Sequence, residues 1–338
     1  MDERQARTDA FRELARARGF HAVGIADLGP LPGADYFQRW VAAGLHGGLD
    51  YLVRHVDLRV DPRALLPSAR SAVVVALSYA QPNPPRPGFP RIARYALGRD
   101  YHRVIRRRLA GLARTLQAEV PDAEFRACVD SAPLLERELA QRAGLGWFGK
   151  NTLLINSARG SWFLLGVLLT SLDLVPDAPA TGGCGTCRLC VDACPTGAIQ
   201  EFAGRWAVDA GQCLSTWTIE RAAESRPSAI AEASGNWTFG CDICQEVCPF
   251  NQPRARQPER GGPPSDPELR QRGELPTLHE LVSMTDAQWD IWTQGRPVRR
   301  ATYAGLKLSA RINLEHESGQ PGTGLPDEDS VDEGLDGA

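Results

Sequence analysis

Cys184-Gly-Thr-Cys187-Arg-Leu-Cys190-Val-Asp-Ala-Cys194-Pro195 is the stretch on which the reading of this chain turns. Its two-residue gaps place three thiolates on one tight loop, where they can grip three irons of a cubane. The fourth cysteine, followed by proline, points away toward a second cluster. A second copy lies downstream as Cys213, then Cys241-Asp-Ile-Cys244-Gln-Glu-Val-Cys248-Pro249, its first cysteine moved upstream by an inserted helical segment. By this logic Cys184, Cys187, Cys190 and Cys248 hold one 4Fe–4S cluster, and Cys194, Cys213, Cys241 and Cys244 hold the other, on a ferredoxin-like α+β module spanning 181–255. Zinc would call for four ligands in two well-separated pairs, not three evenly spaced cysteines plus a Cys-Pro, twice. Disulfides suit short secreted chains, whereas eight of the nine cysteines here crowd into one region. A close pair of clusters relays single electrons and does not by itself name the acceptor. The ninth cysteine, Cys128, falls in an expected strand; burial in the core is the commoner fate of such a residue.

Upstream of this module the pattern alternates. Asp2 to Arg18 predicts a helix with Phe11, Leu14 and Ala15 on one side and Gly19 as its stop. Strands are expected at Phe20 to Ala26, at Ser71 to Tyr79 (SAVVVALSY), at Ala123 to Val129 and at Trp162 to Thr170, with a proline-rich loop from Gln81 to Pro90. Asp100 can cap a helix running to about Val120, and Pro133 to Arg142 reads as another. These alternating elements indicate an α/β domain over 1–180. After Pro253 a Pro/Arg/Gly linker leads into a helical stretch near Leu278 to Trp292, within a segment taken as 256–317. The end, 318–338, is acidic, lacks apolar periodicity and is expected to be disordered.

The chain has 338 residues, 43% of them apolar, enough for one large domain and a smaller one. A net charge of −3 gives no global basic field of the kind that marks a polyanion-binding protein. Lys150 and Lys307 are the lysines, and the other 36 of 38 basic residues are arginines, a bias that weakens arguments from any single exposed arginine. The longest apolar run, Trp162 to Thr170, is too short to cross a bilayer, and the N-terminus lacks the apolar core of a secretory signal. A soluble, cytoplasmic protein, monomeric by default, is expected.

Gly144-Leu-Gly-Trp-Phe-Gly149-Lys150-Asn151 nearly spells a phosphate-binding loop, but Asn151 stands where a magnesium-ligating Ser or Thr belongs, and a helix precedes it. A turn that lets backbone approach a large cofactor fits better. Val129-Asp130-Ser131-Ala132-Pro133 puts an acid at a strand end, the edge where open α/β sheets bind ligands; a helix cap by Asp130 or Ser131 is the bland alternative. In Arg94-Tyr95-Ala-Leu-Gly-Arg99-Asp100-Tyr101-His102, capping by Asp100 and a structural His102 are the plain readings.

Together RYALGRDYH (94–102), VDSAP (129–133), ERELAQRAGLGWFGKN (136–151), GCGTCRLCVDACPTGAI (183–199), CLSTWTIE (213–220) and GCDICQEVCPFN (240–251) resemble the epoxyqueuosine reductases, from about Phe20 to about Leu306. The resemblance implies reduction of the epoxide of epoxyqueuosine to the alkene at the wobble position of tRNA anticodons. It implies base-off cobalamin in the α/β domain, electrons from an external low-potential donor passing through the two clusters, and Asp130 as proton donor to the leaving oxygen. A donor acid must keep its proton near neutral pH, so burial is expected to raise the pKa of Asp130. Tyr101, Ser131, Lys150, Asn151 and Ser161 are the expected cobalamin contacts. Arg94, Arg99, Arg103, Arg106, Arg107 and Arg108 are candidates for tRNA phosphates, or an ordinary solvated helix face. Many family members continue past the segment matching Arg299 to Leu306 into helical repeats; this chain runs instead into LSARINLEHESG and its acidic tail, so that either a compact form of the family suffices or tRNA binding relies on the core alone.

Two other functions fit parts of the pattern. A reductive dehalogenase pairs cobalamin with the same clusters but usually carries a twin-arginine signal, and lacks the VDSAP context. A non-catalytic electron carrier would bind no corrinoid.

Overall fold

The computed structural model describes residues 3–224, 226–253 and 262–319. Four strands, β1 (Ala22–Asp27), β2 (Ser71–Ser78), β3 (Phe125–Cys128) and β4 (Phe163–Thr170), form one sheet in the order β1-β2-β4-β3. Its helices are α1 (Glu3–Ala17), α2 (Gly33–Ala42), α3 (Tyr101–Glu119) and α4 (Glu136–Arg142). The mixture of helix and strand agrees with the sequence, but every pairing in this sheet is antiparallel. The rule placing ligands at the carboxyl ends of parallel strands therefore cannot be what locates Asp130.

The central strand β2 is buried along its whole length, which is why it reads as an unbroken apolar run rather than an alternating one. Val73, Val75 and Leu77 point to one side, against Phe11 of α1 and Ile105, Leu109 and Leu112 of α3. Ala72, Val74 and Ala76 point to the other, against Leu139 and Ala140 of α4. Alternation of side chains across the strand thus serves two cores at once. Cys128 is packed in the second of these, free and buried among aliphatic side chains. Helix α4 lies so close to β1 that a Cβ on Gly24 would sit 2.0 Å from the Ala143 carbonyl oxygen.

Helix α3 begins where Asp100 accepts from the His102 amide at 3.0 Å, the N-cap that the sequence suggested. Helix α4 begins later than expected, at Glu136, and neither Asp130 nor Ser131 caps it: its cap position is Leu135.

In the cysteine-rich part, short helices Leu189–Asp192 and Ile243–Glu246 lie within the two runs, a hairpin pairs Ile199–Phe202 with Arg205–Val208, and the insertion holds a π-turn, Thr216–Glu220, and a helix, Ser228–Ala233. Arg94 fastens the second run by ion pairs to Asp242 (2.9 Å) and Glu246 (2.8 Å). The expected helical stretch near Leu278 to Trp292 is two helices, Leu278–Ser283 and Asp286–Thr293, because Thr285 forms a capping box with Gln288 and restarts the chain. Helix α5 (Tyr303–Glu317) closes this layer. Of the expected disordered tail, residues 320–338 lie outside the described residues.

Candidate active site

Asp130 follows β3 directly and has a φ of 40°, in the left-handed region that few side chains other than Asn and Asp tolerate. That turn aims its carboxylate at the start of α3. Oδ2 accepts from the Tyr101 hydroxyl at 2.5 Å and lies 2.9 Å from Nε2 of His102. The other ring nitrogen, Nδ1, is 2.8 Å from Oδ1 of Asp100, so one imidazole sits between two carboxylates. The Asp130 amide donates to Oε2 of Glu136, at the start of α4, at 3.2 Å.

The electrostatics of this group overturn the expectation for Asp130. Burial pushes its carboxyl up, but the hydrogen bonds from His102 and Tyr101 and the charges of His102 and Arg59 outweigh it, and the pKa is lowered. The Asp130 side chain is still 54% exposed, because it opens into a cavity rather than being sealed in apolar packing. Burial pulls His102 down, but hydrogen bonds to Asp100 and Asp130 prevail and raise it to about 9. Glu136 moves up to about 7 through burial and the charge of Asp130. At neutral pH the dissociable proton of the pair therefore rests on His102, the residue whose plain reading was structural.

The cavity beside Asp130 has a volume of about 720 Å³. Its walls include Tyr36 and Trp40 of α2, Arg137, Trp147, Gly149 and Trp206. Tyr36 and Trp40 bind the hairpin to α2 by donating to the carbonyls of Trp206 (3.2 Å) and Val208 (2.9 Å). Two buried donors on this wall, Nε1 of Trp147 and Nε of Arg59, have no hydrogen-bond partner among the described residues.

A second cavity, of about 220 Å³, is lined by Cys184, Cys187, Cys190 and Cys248, the four assigned together from spacing, along with Asn151 and Phe250. Trp147 joins the two cavities, lining the larger and packing with Cys248 and, edge-on at 5.1 Å, with Phe250. Burial and then the charges of Cys184, Cys248 and Cys187 push Cys190 up to about 11. In the other set, burial followed by Cys213, Asp242 and Cys194 pushes Cys241 up to about 12, and Cys244 is raised by burial, Cys241, Cys213 and Cys190. The thiols thus influence one another in two quartets that adjoin through Cys190 and Cys244. The quartet of Cys184, Cys187, Cys190 and Cys248 surrounds a volume rather than a point.

The five side chains expected to touch cobalamin are placed differently. Tyr101 holds Asp130, and Ser131 accepts from Arg106 at 3.2 Å. Lys150 donates to the Gly185 carbonyl at 2.9 Å, and Asn151 to that of Cys244 at 3.3 Å. Ser161 is buried under Gln245 and Asn251, where its amide donates to Asn251 Oδ1 at 2.7 Å. None of the five lines the larger cavity. Its aromatic wall was missed because Tyr36, Phe37 and Trp40 have the spacing of a core-facing helix stripe, yet Gly33 is the buried residue of α2. Of the six arginines considered for phosphate contact, Arg94, Arg107 and Arg108 are held by Asp242, Glu246, Asp266 and Glu268. Arg103 is 80% exposed.

An acid–imidazole pair beside a cavity that adjoins a cysteine quartet is the arrangement of an iron–sulfur oxidoreductase, and the comparisons agree. Residues 183–251 match the 4Fe-4S double cluster binding domain, so the module carries two such clusters, and residues 59–131 match the family described as epoxyqueuosine reductase QueG, DUF1730. The epoxyqueuosine reductase of Gloeobacter violaceus is 44% identical over 90% of this chain and 94% of its own length, and that of Escherichia coli 38% over 83% and 74%. A crystal structure of an epoxyqueuosine reductase with an epoxyqueuosine-modified tRNA-Tyr stem loop superposes with a TM-score of 0.81 at 27% identity, covering 92% of this chain and 82% of that one. Another, from Bacillus subtilis with its catalytic aspartate loop swung out of the active site, has a TM-score of 0.80 at 26% identity over the same shares. This chain belongs to the epoxyqueuosine reductase family, a family of oxidoreductases.

Proposed function

We propose that this chain reduces the epoxide of epoxyqueuosine at the wobble position of a tRNA anticodon, with Asp130 and His102 delivering one of the two protons that the leaving oxygen takes up and solvent supplying the other. The observation that carries this reading is the seat of Asp130, between Tyr101 and His102 on the wall of a cavity that shares Trp147 with a cysteine quartet. The tRNA-Tyr stem loop bound by one relative and the catalytic aspartate loop of another support the same assignment.

Converting the epoxide to the alkene takes two electrons and two protons, and its oxygen leaves as water. The electrons arrive singly through the two clusters from an external low-potential donor. An alkoxide is a poor leaving group, so a proton must reach the oxygen as its bond to carbon breaks. Asp130 presents the oxygen-facing carboxyl; His102 holds the proton that the pair shares, and Asp100 steadies the imidazole from behind. Tyr101 fixes the carboxyl orientation, and Glu136 fixes the loop through the Asp130 amide.

The larger cavity suits base-off cobalamin: its wall carries Tyr36, Phe37, Trp40, Trp147, Phe148 and Trp206, and it presents donors on Trp147 and Arg59, without partners among the described residues, that the carbonyls of amide arms could satisfy. When bound, cobalamin would supply a low-potential cobalt centre able to pass electrons or act as a nucleophile. Tyr36, Trp40, Trp147 and Trp206 would hold it, in place of the five contacts expected from motifs. In this reading 1–180 is the cobalamin-binding domain, with the 199–208 hairpin of the 181–255 cluster module closing its cavity, and the protein works as a cytoplasmic monomer. Among the described residues no helix is long and apolar enough to cross a membrane.

The test is Asp130→Asn. Both clusters and bound corrinoid should persist by absorption while turnover of epoxyqueuosine-containing tRNA collapses; unchanged turnover removes Asp130 from the mechanism. Anticodon nucleosides from cells lacking the protein should accumulate epoxyqueuosine.

A further inference from the structure

Two segments from the C-terminal part of the chain meet the start of α3. Gly98 lies so close to the first of them that a Cβ there would sit 2.3 Å from the Leu269 carbonyl oxygen. Beside it the Arg99 amide donates to the Glu268 carbonyl at 2.9 Å, and the Arg272 amide to that of Leu97 at 3.1 Å. The second segment arrives where the Asp100 amide donates to the Gly295 carbonyl at 2.8 Å. Arg296, the next residue, reaches the carbonyls of Leu97 (3.4 Å) and Arg272 (2.5 Å).

These contacts gather arginines around the proposed proton-donating pair. Arg103 Nε is 3.7 Å from Oδ2 of Asp100, whose other oxygen holds His102 Nδ1. Arg106, one turn further along α3, donates to Ser131 Oγ at 3.2 Å, directly after Asp130 in the chain. Arg103 and Arg106 thus flank the contact of His102 with Asp130, while Arg99, Arg272 and Arg296 continue outward from Asp100. Of the five, Arg296 is half-buried and the rest are exposed.

In a chain this rich in arginine, exposure alone means little; the lack of counter-charge is what sets these five apart. Arg107 and Arg108 are neutralised by Asp266 and Glu268, Arg299 by Asp290 and Arg300 by Glu220. Among the described residues Arg99, Arg106, Arg272 and Arg296 make no ion pair, and Arg103 has only Asp100, which it shares with His102. Cations held together by backbone carbonyls, without carboxylates, create a local positive field that an incoming anion can satisfy.

We infer that Arg99, Arg103, Arg106, Arg272 and Arg296 form a track for the phosphate backbone of the anticodon arm while its wobble nucleoside sits at Asp130. The inference rests on the proposed RNA substrate. At a net charge of −3 the chain attracts no polyanion as a whole, so a local stripe must supply the affinity that phosphate contacts give. Because the stripe starts at the seat of Asp130, those contacts also set where the nucleoside falls. Two of the five arginines come from the segment after the cluster module, which gives that segment a part in holding RNA.

The test uses the full chain, reconstituted anaerobically with both clusters and cobalamin, and reads binding of an epoxyqueuosine-modified anticodon stem loop by fluorescence anisotropy over a salt series. Arg99→Gln/Arg272→Gln should bind roughly tenfold more weakly than wild type at about 0.1 M salt, with the slope of log affinity against log salt shallower by about two. Arg103→Gln, at the end nearest His102, should lower that slope by about one. Arg7→Gln, which removes a charge from α1 where it pairs with Glu3, should bind as wild type. Cluster absorbance reports folding; should the double variant lose its clusters, Arg99→Gln alone serves, since that side chain makes no hydrogen bond among the described residues. If the track variants keep the wild-type slope, or Arg7→Gln weakens binding equally, the track is wrong, and turnover by wild type leaves the proposed reaction standing. If wild type neither binds nor reduces the stem loop, both fall.

Discussion

His102 Nε2 lies 2.9 Å from Asp130 Oδ2, and its Nδ1 lies 2.8 Å from Asp100 Oδ1. An imidazole gripped from both ends by carboxylates is a proton reservoir. Asp130 by itself, held below the usual carboxylate range, would be a poor acid at neutral pH; coupled to His102 it can pass on a proton that the ring retains up to about pH 9.

The first consequence is a pH profile. Single-turnover reduction should hold steady below pH 8 and fall as pH rises through about 9, where His102 deprotonates. His102→Gln keeps a hydrogen bond to Asp130 but carries no proton to give. It should slow the chemical step by about 100-fold, in keeping with general-acid contributions, and abolish that alkaline limb. A variant with an unchanged limb would assign the titration elsewhere.

The same raised pKa has a sign in stability. Since the folded value exceeds the unfolded one, near 6.5, the His102 contribution is complete below about pH 6.5 and is lost as pH climbs through about 9. The melting temperature of wild type should therefore decline over that window more steeply than that of His102→Gln.

Glu136 also loses stability as pH rises, but here it is the charged form that burial disfavours. Its folded pKa of about 7 lies above the ordinary value of 4.5, so ionising it in the folded state works against stability as pH rises from about 4.5 to 7. Glu136→Gln retains an acceptor for the Asp130 amide. It should melt above wild type at pH 8 and match it near pH 4.

Arg94 and Asp242 form an ion pair in which both partners are largely buried, with side-chain exposures of 13% and 3%. Arg94→Ala leaves that carboxylate without its cation and should cost about 3 kcal/mol at pH 8 by denaturant titration. Burial already raises Asp242 to about 6, so the deficit should shrink in acid as the group protonates.

The cysteines separate cleanly by position. Cys190→Ser and Cys194→Ser should each leave roughly half of the iron, one quartet being broken in each case. Cys128→Ala should retain all of it, with a stability loss of about 1 kcal/mol from the aliphatic core that surrounds this thiol.

Much of the site could be read from local order. Within each run the cysteines lie together because neighbouring residues on a tight loop cannot be far apart in space, and Asp100 caps α3 for the same reason. The pairing of β2 with β4 was not readable, since an unbroken apolar run suits a buried strand of either orientation. The state of Asp130 was misjudged for a related reason: its pKa depends on His102, 28 positions earlier, which the turn after β3 swings into contact. Tyr36 and Trp40 carry no motif that marks them, and only the fold turns them toward a hairpin some 170 residues away.

By itself the sequence determined that cysteines recur in two short runs, where the main helices and strands lie and which family the motifs resemble, all properties set by short-range order along the chain. Only the tertiary structure decided that the sheet is antiparallel, that the shared proton sits on His102 and that an aromatic cavity opens beside Asp130. Those depend on charges and surfaces from distant segments meeting in space, and short-range spacing carries no record of such meetings.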